Sequence, residues 1–415
     1  MSRPVFDQRL TSVLVDAAIA GKASAEILED LCRSMGNDGV RLYRVTVGAF
    51  LLHPLLDATL AIWRPDRGAY LDDTPRPAVR GSEAWRQSTF YHMEQTGSDM
   101  MRCRLAVGEG HEFAVLAGLA KEGATDYVAL RTRLAGGVML GDGTGIFSSW
   151  TTDRKGGFTE VELERIRGIE PLLAVVVAAS LGTATAGTLL ATYLGADAAR
   201  RVLGGDIERG RVEMIHAVIW YSDLAGFTRL TDQVAGAGML QLFTGHAEIL
   251  GLLNDHAESL VDAIEARGGQ VLKFMGDGIL AIFRAAADED ACDAALAAWI
   301  EASRRCATLS RRRIGETRPY LALHAGEVLY GNIGGRARLD FTVLGPAVNE
   351  AARIAALCRQ LDQPVVMSEA FAELCPAPRR DSLLALGRYA LRGVSRPQML
   401  FGLDPQAEAD SAMST

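Results

Sequence analysis

The chain has 415 residues, more than one ordinary core accommodates, and at roughly 100 to 200 residues per domain it divides into two or three units. Hydrophobic residues at 49% and charged residues at 23% exclude an intrinsically disordered chain, and a net charge of −8 at pH 7 excludes a surface built to grip nucleic acid by its phosphates. Cys32, Cys103, Cys292, Cys306, Cys358 and Cys375 form no CxxC pair and no zinc spacing, so the cysteines fit a reducing cytoplasm.

The first residues lack the basic start and long apolar core of a signal peptide and read instead as an amphipathic opening helix. A second helix is expected at residues 25–34, followed by strands at 43–52, 59–64, 113–120 and 128–134. A closing helix starts near Thr159, where Glu162 three residues later completes a capping box. His53, His92, His111, Cys103, Trp63 and Trp85 read as core or surface residues, and none nominates a ligand. The strands bracketed by helices resemble a GAF-type sensor domain whose last helix leaves toward an effector.

Residues 171–196 carry no charge and are long enough to cross a bilayer. Ala, Gly and Thr dominate the second half of this run, which is only weakly apolar, so a helix buried between subunits is expected rather than membrane contact. Residues 195–212 form a charged helical connector, in which the triplet Gly204, Gly205, Asp206 is a turn.

Three later segments carry the chemistry. MIHAVIWYSDLAGFTRL is a buried strand that delivers Asp223 at its exit, a position suited to a hard divalent cation but common for a simple turn residue. GGQVLKFMGDGILAIF is a hairpin turning at Gly276, Asp277 and Gly278, and Asp277 beside Asp223 would place two carboxylates on adjacent strand tips, able to hold two metal ions. RLDFTVLGPAVNEAARIAA is a strand and a helix, on which Asn349 and Arg353 are four apart and share one face.

Together the motifs YSDLAGFTRL, LKFMGDG and DFTVLGPAVNEAAR resemble the class III nucleotidyl cyclases, the adenylyl and guanylyl cyclase catalytic domains. The resemblance implies a ferredoxin-like catalytic domain in an α+β chain. It implies that Asp223 and Asp277, with the Leu224 carbonyl, hold two Mg²⁺ or Mn²⁺ ions. Lys273 and Thr342 would read the purine, Asn349 would orient the ribose, and Arg353 would stabilise charge on the transferring phosphorus. A lysine donor with a threonine acceptor complements N1 and N6 of adenine, so ATP is the expected substrate. Pro346 and Tyr221 depart from the residues frequent in the family at those places, outside the implied functional set.

The domain organisation expected is therefore 1–194 sensor, 195–212 connector, 213–403 cyclase and 404–415 flexible tail. The expected activity is conversion of ATP to 3′,5′-cyclic AMP and pyrophosphate in a cytoplasmic homodimer whose partner signal at the sensor is unknown. A guanylate cyclase and a catalytically silent nucleotide-binding module are the alternatives. Arg304, Arg305 and Arg311 to Arg313 read as solvated surface, and His324 as structural.

Overall fold

The computed structural model describes residues 7–49, 60–72, 83–134, 145–227, 239–284, 288–310, 318–394 and 396–404. His53, Arg311 to Arg313 and the expected tail beyond Asp404 lie outside them. The chain divides into two compact units, Met1–Leu189 and Leu190–Thr415.

In the first unit, α1 (Gln8–Ile19) and α2 (Ser24–Asn37) precede β1 (Arg44–Ala49), β2 (Leu60–Arg64) and β3 (Gly68–Leu71). Two helices, α3 (Glu83–Arg86) and α4 (Thr89–Thr96), lead to β4 (Met100–Cys103), α5 (Ala114–Lys121), β5 (Asp126–Thr132), β6 (Ile146–Thr152) and α6 (Glu160–Leu194). The strands form one sheet in the order β3-β2-β1-β6-β5-β4. Alternation along the strands feeds two cores. Val45, Val47, Val128 and Trp150 meet α1, α2 and α6 on one face, while Tyr127, Ala129 and Phe147 meet Trp85, Phe90 and Leu116 on the other.

Two expectations change here. Residues 113–120, expected as a strand, are mostly the helix α5, with Leu116 and Leu119 buried three apart. An apolar run this short does not fix its own period, and its alanines and leucines favour a helix. The strand β6 was not anticipated because its serines and threonines read as loop. Most of their hydroxyls find partners: Thr46 Oγ1 and Ser149 Oγ lie 2.7 Å apart, Ser148 Oγ donates to Glu170 and Thr152 Oγ1 accepts from the Arg154 N–H, while Thr151 Oγ1 is buried with no partner among the described residues.

The capping box opens α6 as the sequence implies: Glu162 accepts from the Thr159 N–H at 2.7 Å, and Thr159 Oγ1 accepts from the Glu162 N–H at 3.3 Å. The helix continues through Pro171 to Leu194. By length and composition it could cross a membrane. Leu173, Ala174, Val177, Ala178 and Leu181 are buried within the first unit's own core, whereas Val175 is 52% exposed.

Glu170, on the same helix, is fully buried and accepts a 2.6 Å hydrogen bond from Ser148 Oγ. Burial pushes its carboxyl from the ordinary 4.5 up to about 7, against the opposing pull of the Ser148 and Thr132 hydroxyls. The folded chain keeps a proton that the unfolded chain releases near pH 4.5, so stability is lost as pH rises from there through 7. Glu170→Gln is expected to shrink the stability difference between pH 5 and pH 8, by up to roughly 3 kcal/mol, in urea unfolding of the two proteins. An unchanged difference would mean that burial does not raise this carboxyl above its ordinary range in the folded chain.

The second unit opens with α7 (Ala196–Leu203), within the expected helical connector. Ala198 is buried against the sheet and the Tyr330 hydroxyl donates to Asp197 at 2.9 Å. Next come β7 (Val212–Ala225), α8 (Met239–Ala266), β8 (Gly269–Met275), β9 (Gly278–Phe283), α9 (Asp288–Ser310) and β10 (Arg318–Gly334). They are followed by β11 (Leu339–Leu344), α10 (Pro346–Leu361), β12 (Val365–Ser368), α11 (Glu369–Leu374), α12 (Ala377–Arg380), β13 (Leu383–Tyr389) and β14 (Gln398–Leu403).

The sheet order is β13-β14-β12-β10-β7-β9-β8, with β11 on the outer part of β10. Both faces of β7 are covered, which explains its nearly unbroken apolar sequence. Val218 and Trp220 pack toward α8 and α9, whereas Ala217 and Ile219 pack toward α7, β11 and α10. Helix α10 starts with Pro346 in its first turn and buries Ala347, Ala351, Ile354, Ala355 and Cys358 along one stripe. All six cysteines are buried free thiols.

Candidate active site

Asp223 stands near the end of β7, and β9 pairs with that strand so that Ser222 faces Ile279. The β8–β9 hairpin closes through the two-residue turn Gly276–Asp277 between the paired Met275 and Gly278. Gly276 has φ +69°, the left-handed backbone that such a turn requires at its first position. A Cβ on Gly278 would lie 2.4 Å from the Ser222 carbonyl oxygen. Only glycine therefore lets the tip of the hairpin settle against β7, and that contact is what brings Asp277 to Asp223.

The two carboxylates are close enough to disturb each other. Burial, and then the negative charge of Asp223, raises the Asp277 carboxyl above its ordinary range, although the Leu224 N–H donates to it. Asp277 Oδ2 is buried without a hydrogen-bond partner among the described residues. With Leu224, Phe274 and His256 the pair lines a cavity of about 200 Å³.

Arg359, in the last turn of α10, reaches the same place. Its Nη2 lies 3.0 Å from Asp223 Oδ2 and 3.5 Å from the Leu224 carbonyl oxygen. A cationic group thus already sits on two of the three oxygen donors expected for a metal, while the third residue has an orphaned oxygen. Hard oxygen donors with surplus negative charge fit Mg²⁺ or Mn²⁺. No tighter cluster of three His, Cys, Asp or Glu side chains occurs among the described residues, so a metal here would complete its shell with carbonyl, water and substrate oxygens.

Lys273 Nζ lies 2.6 Å from Asp340 Oδ2, on the strand that also carries Thr342. Thr342 is 3% exposed and its Oγ1 has no partner among the described residues. Asn349 is exposed, and the half-buried Arg353 guanidinium lies over Gly393, where a Cβ would come within 3.3 Å of Nη2. The structure brings Asp223, Leu224 and Asp277 together, and Lys273 close to the strand of Thr342. Among the described residues no hydrogen bond or ion pair joins Asn349 or Arg353 to either carboxylate.

Asp340, Arg359 and Gly393 were not singled out from the sequence. Asp340 was within reach, because two residues before Thr342 in a strand is the same face. Arg359 was not: it lies six residues beyond Arg353, about 240° around the helix, and only the packing of α10 on the sheet reveals its partner. His324 is structural as expected, its Nδ1 2.8 Å from Ser368 Oγ, and burial lowers its pKa to about 4. Trp85 and Cys103 are core residues, His92 sits edge-on to Phe113, and Arg305 pairs with Asp262.

No family model matches the chain. It is 28% identical over 186 residues to an adenylate cyclase of Anabaena cylindrica, covering 43% of this chain and 34% of that protein. It is 31% identical over 208 residues to an uncharacterized protein of Mycobacterium tuberculosis, covering 49% of this chain and 34% of that one. The chain thus spans about a third of the length of these curated relatives. Among solved structures, a bacterial light-regulated adenylyl cyclase is similar with a TM-score of 0.47 at 16% identity, over 89% of this chain and 98% of that one. A guanylyl cyclase is similar with a TM-score of 0.38 at 24% identity, over 46% of this chain and 93% of that one.

Proposed function

We propose that the chain is a class III nucleotidyl cyclase that converts ATP to 3′,5′-cyclic AMP and pyrophosphate. The observation that carries this reading is the pairing of Asp223 with Asp277, held together by the contact of Gly278 with Ser222 and left with an orphaned acceptor oxygen. The succession β7, α8, β8, β9, α9, β10, with the strands in the order β10-β7-β9-β8, is compatible with a ferredoxin-like core. The sequence similarity to a protein named an adenylate cyclase supports the same assignment.

In the reaction, the ribose 3′-oxygen bonds to the α-phosphorus, the bond to the bridging oxygen breaks, and pyrophosphate departs with the electron pair while the hydroxyl proton is released. Asp223, Asp277 and the Leu224 carbonyl would hold two divalent cations, which when bound supply charge neutralisation at both the attacking and the leaving oxygen. Asn349 orients the ribose, and the Arg353 guanidinium donates hydrogen bonds to the phosphoryl oxygens as their charge grows. Lys273 donates to adenine N1 and Thr342 accepts from N6. Asp340 keeps the Lys273 ammonium on the strand of Thr342, which fixes the spacing of donor and acceptor.

The first unit, strands of one sheet bracketed by helices, is proposed as a GAF-like sensor, and the protein as a cytoplasmic homodimer. The purified chain, given ATP or GTP with Mg²⁺ or Mn²⁺, is expected to make cyclic AMP faster than cyclic GMP. Lys273→Glu with Thr342→Cys should lower kcat/KM for ATP by about 10- to 100-fold, the scale of a lost charged hydrogen bond, and admit GTP. Unchanged ATP kinetics in the double variant would remove these residues from base selection. Nucleotide binding without any cyclic product would favour the silent module.

A further inference from the structure

Arg359 touches the oxygens assigned to the metal, and the proposed chemistry does not use it. Its guanidinium does not merely lie near the carboxylates: Nη2 is bonded to Asp223 Oδ2 at 3.0 Å and shared with the Leu224 carbonyl at 3.5 Å. Both are oxygens assigned above to the metal. The N–H occupies one lone pair on each of these oxygens, and a divalent cation ligated there would lie against the guanidinium charge, so metal and guanidinium compete for the same negative charge. The side chains of Arg359 and Asp223 are 49% and 40% exposed, so the arginine has solvent to swing into when it leaves. Among the described residues no second carboxylate holds it in place. Arg318, the neighbouring cation, is already paired with Asp362 and with the Tyr320 hydroxyl.

We propose that Arg359 is an exchangeable counter-ion of the metal site: it neutralises Asp223 until a divalent cation replaces it, and so raises the cation concentration needed to load the site. This rests on the reading of Asp223 and Asp277 as metal ligands. It assigns to one arginine a function distinct from that of Arg353, which lies over Gly393 and away from these oxygens. The physical consequence is a site that resists loading by metal alone and fills more readily when nucleotide phosphates bring negative charge with the cation. A half-exposed ion pair of this kind is worth at most about a five-fold change in the competing equilibrium.

The test is Mn²⁺ binding to the full chain, freed of nucleotide and treated with chelator, with unbound ion counted from its electron paramagnetic resonance signal. Arg359→Ala and Arg359→Gln should each bind Mn²⁺ about three- to five-fold more tightly than the wild type. Arg359→Lys, which keeps a competing cation, should remain close to wild type. Circular dichroism confirms folding, and the glutamine variant decides the matter if the alanine variant does not fold. Wild-type or weaker Mn²⁺ affinity in the folded variants overturns the exchange while leaving the metal site standing, provided that Asp223→Ala still weakens binding. If neither Asp223→Ala nor Asp277→Ala changes Mn²⁺ binding, the metal assignment itself fails and the exchange fails with it.

Discussion

Asp223→Ala and Asp277→Ala are each expected to lower the rate of cyclic AMP formation by roughly 100-fold or more, since loss of even an outer-sphere partner of a metal ligand costs 10- to 100-fold. Their effects on stability should not be the same. Asp277 is a disfavoured charge in the folded chain, pressed by burial and by Asp223 and with one oxygen unbonded, so its removal relieves repulsion and an unsatisfied acceptor. Thermal unfolding of Asp277→Ala should therefore occur at the wild-type temperature or above it. Asp223→Ala loses the half-exposed pair with Arg359 and should melt at or slightly below wild type. Loss of activity without loss of stability is the signature of a residue kept for chemistry rather than for the fold. Near-wild-type turnover in either folded variant would defeat the two-metal assignment.

Two dead variants are expected to restore each other. In the family that the sequence resembles, the metal carboxylates come from one catalytic domain and the purine, ribose and phosphate residues from its partner. On the proposed assignment this chain carries both sets, and within it Arg353 makes no ion pair with Asp223 or Asp277 among the described residues, its guanidinium lying over Gly393. Asp223→Ala and Arg353→Ala homodimers should each be nearly inactive. A mixed two-fold dimer has one site with both lesions and one with neither. Co-expression should return about a quarter of wild-type activity if chains pair at random, because half the dimers are mixed and each has one working site of two. Verified mixed dimers that stay inactive, with both variants folded and paired, would rule out a site shared between chains.

The parts of the site that were legible from sequence are those governed by local rules. A strand ending in Asp223 and a two-residue turn holding Asp277 follow from β-rich runs and glycine placement, and the capping box at Thr159 follows from spacing alone. Residues 113–120 were misread because an eight-residue apolar stretch satisfies a strand and a helix equally, and only the core that Leu116 and Leu119 enter decides between them. Strand β6 was hidden for the opposite reason: Ser148 and Ser149 look solvated until their partners Glu170 on α6 and Thr46 on β1 are known. The closeness of Asp277 to Asp223 depends on the bare Cα of Gly278 against a backbone oxygen 56 positions earlier, at Ser222, a contact invisible in linear order. Arg359 belongs to the same class, since its role is set by where α10 crosses β7.

The buried thiols have a use of their own. Loss of water pushes Cys103 and Cys306 up to about 11 and Cys358 up to about 12, and raises Cys32 well above its ordinary range. Alkylating reagents attack the thiolate, so these sulfurs are close to inert while their surroundings stay closed. Each becomes a chemical clock for local opening. Cys32 and Cys103 keep time for the first unit, Cys306 and Cys358 for the second. Cys358 stands next to Arg359 in the chain and is bonded to the Ile354 and Leu321 carbonyls, so the rate at which it is labelled measures how often that end of the helix lifts from the sheet.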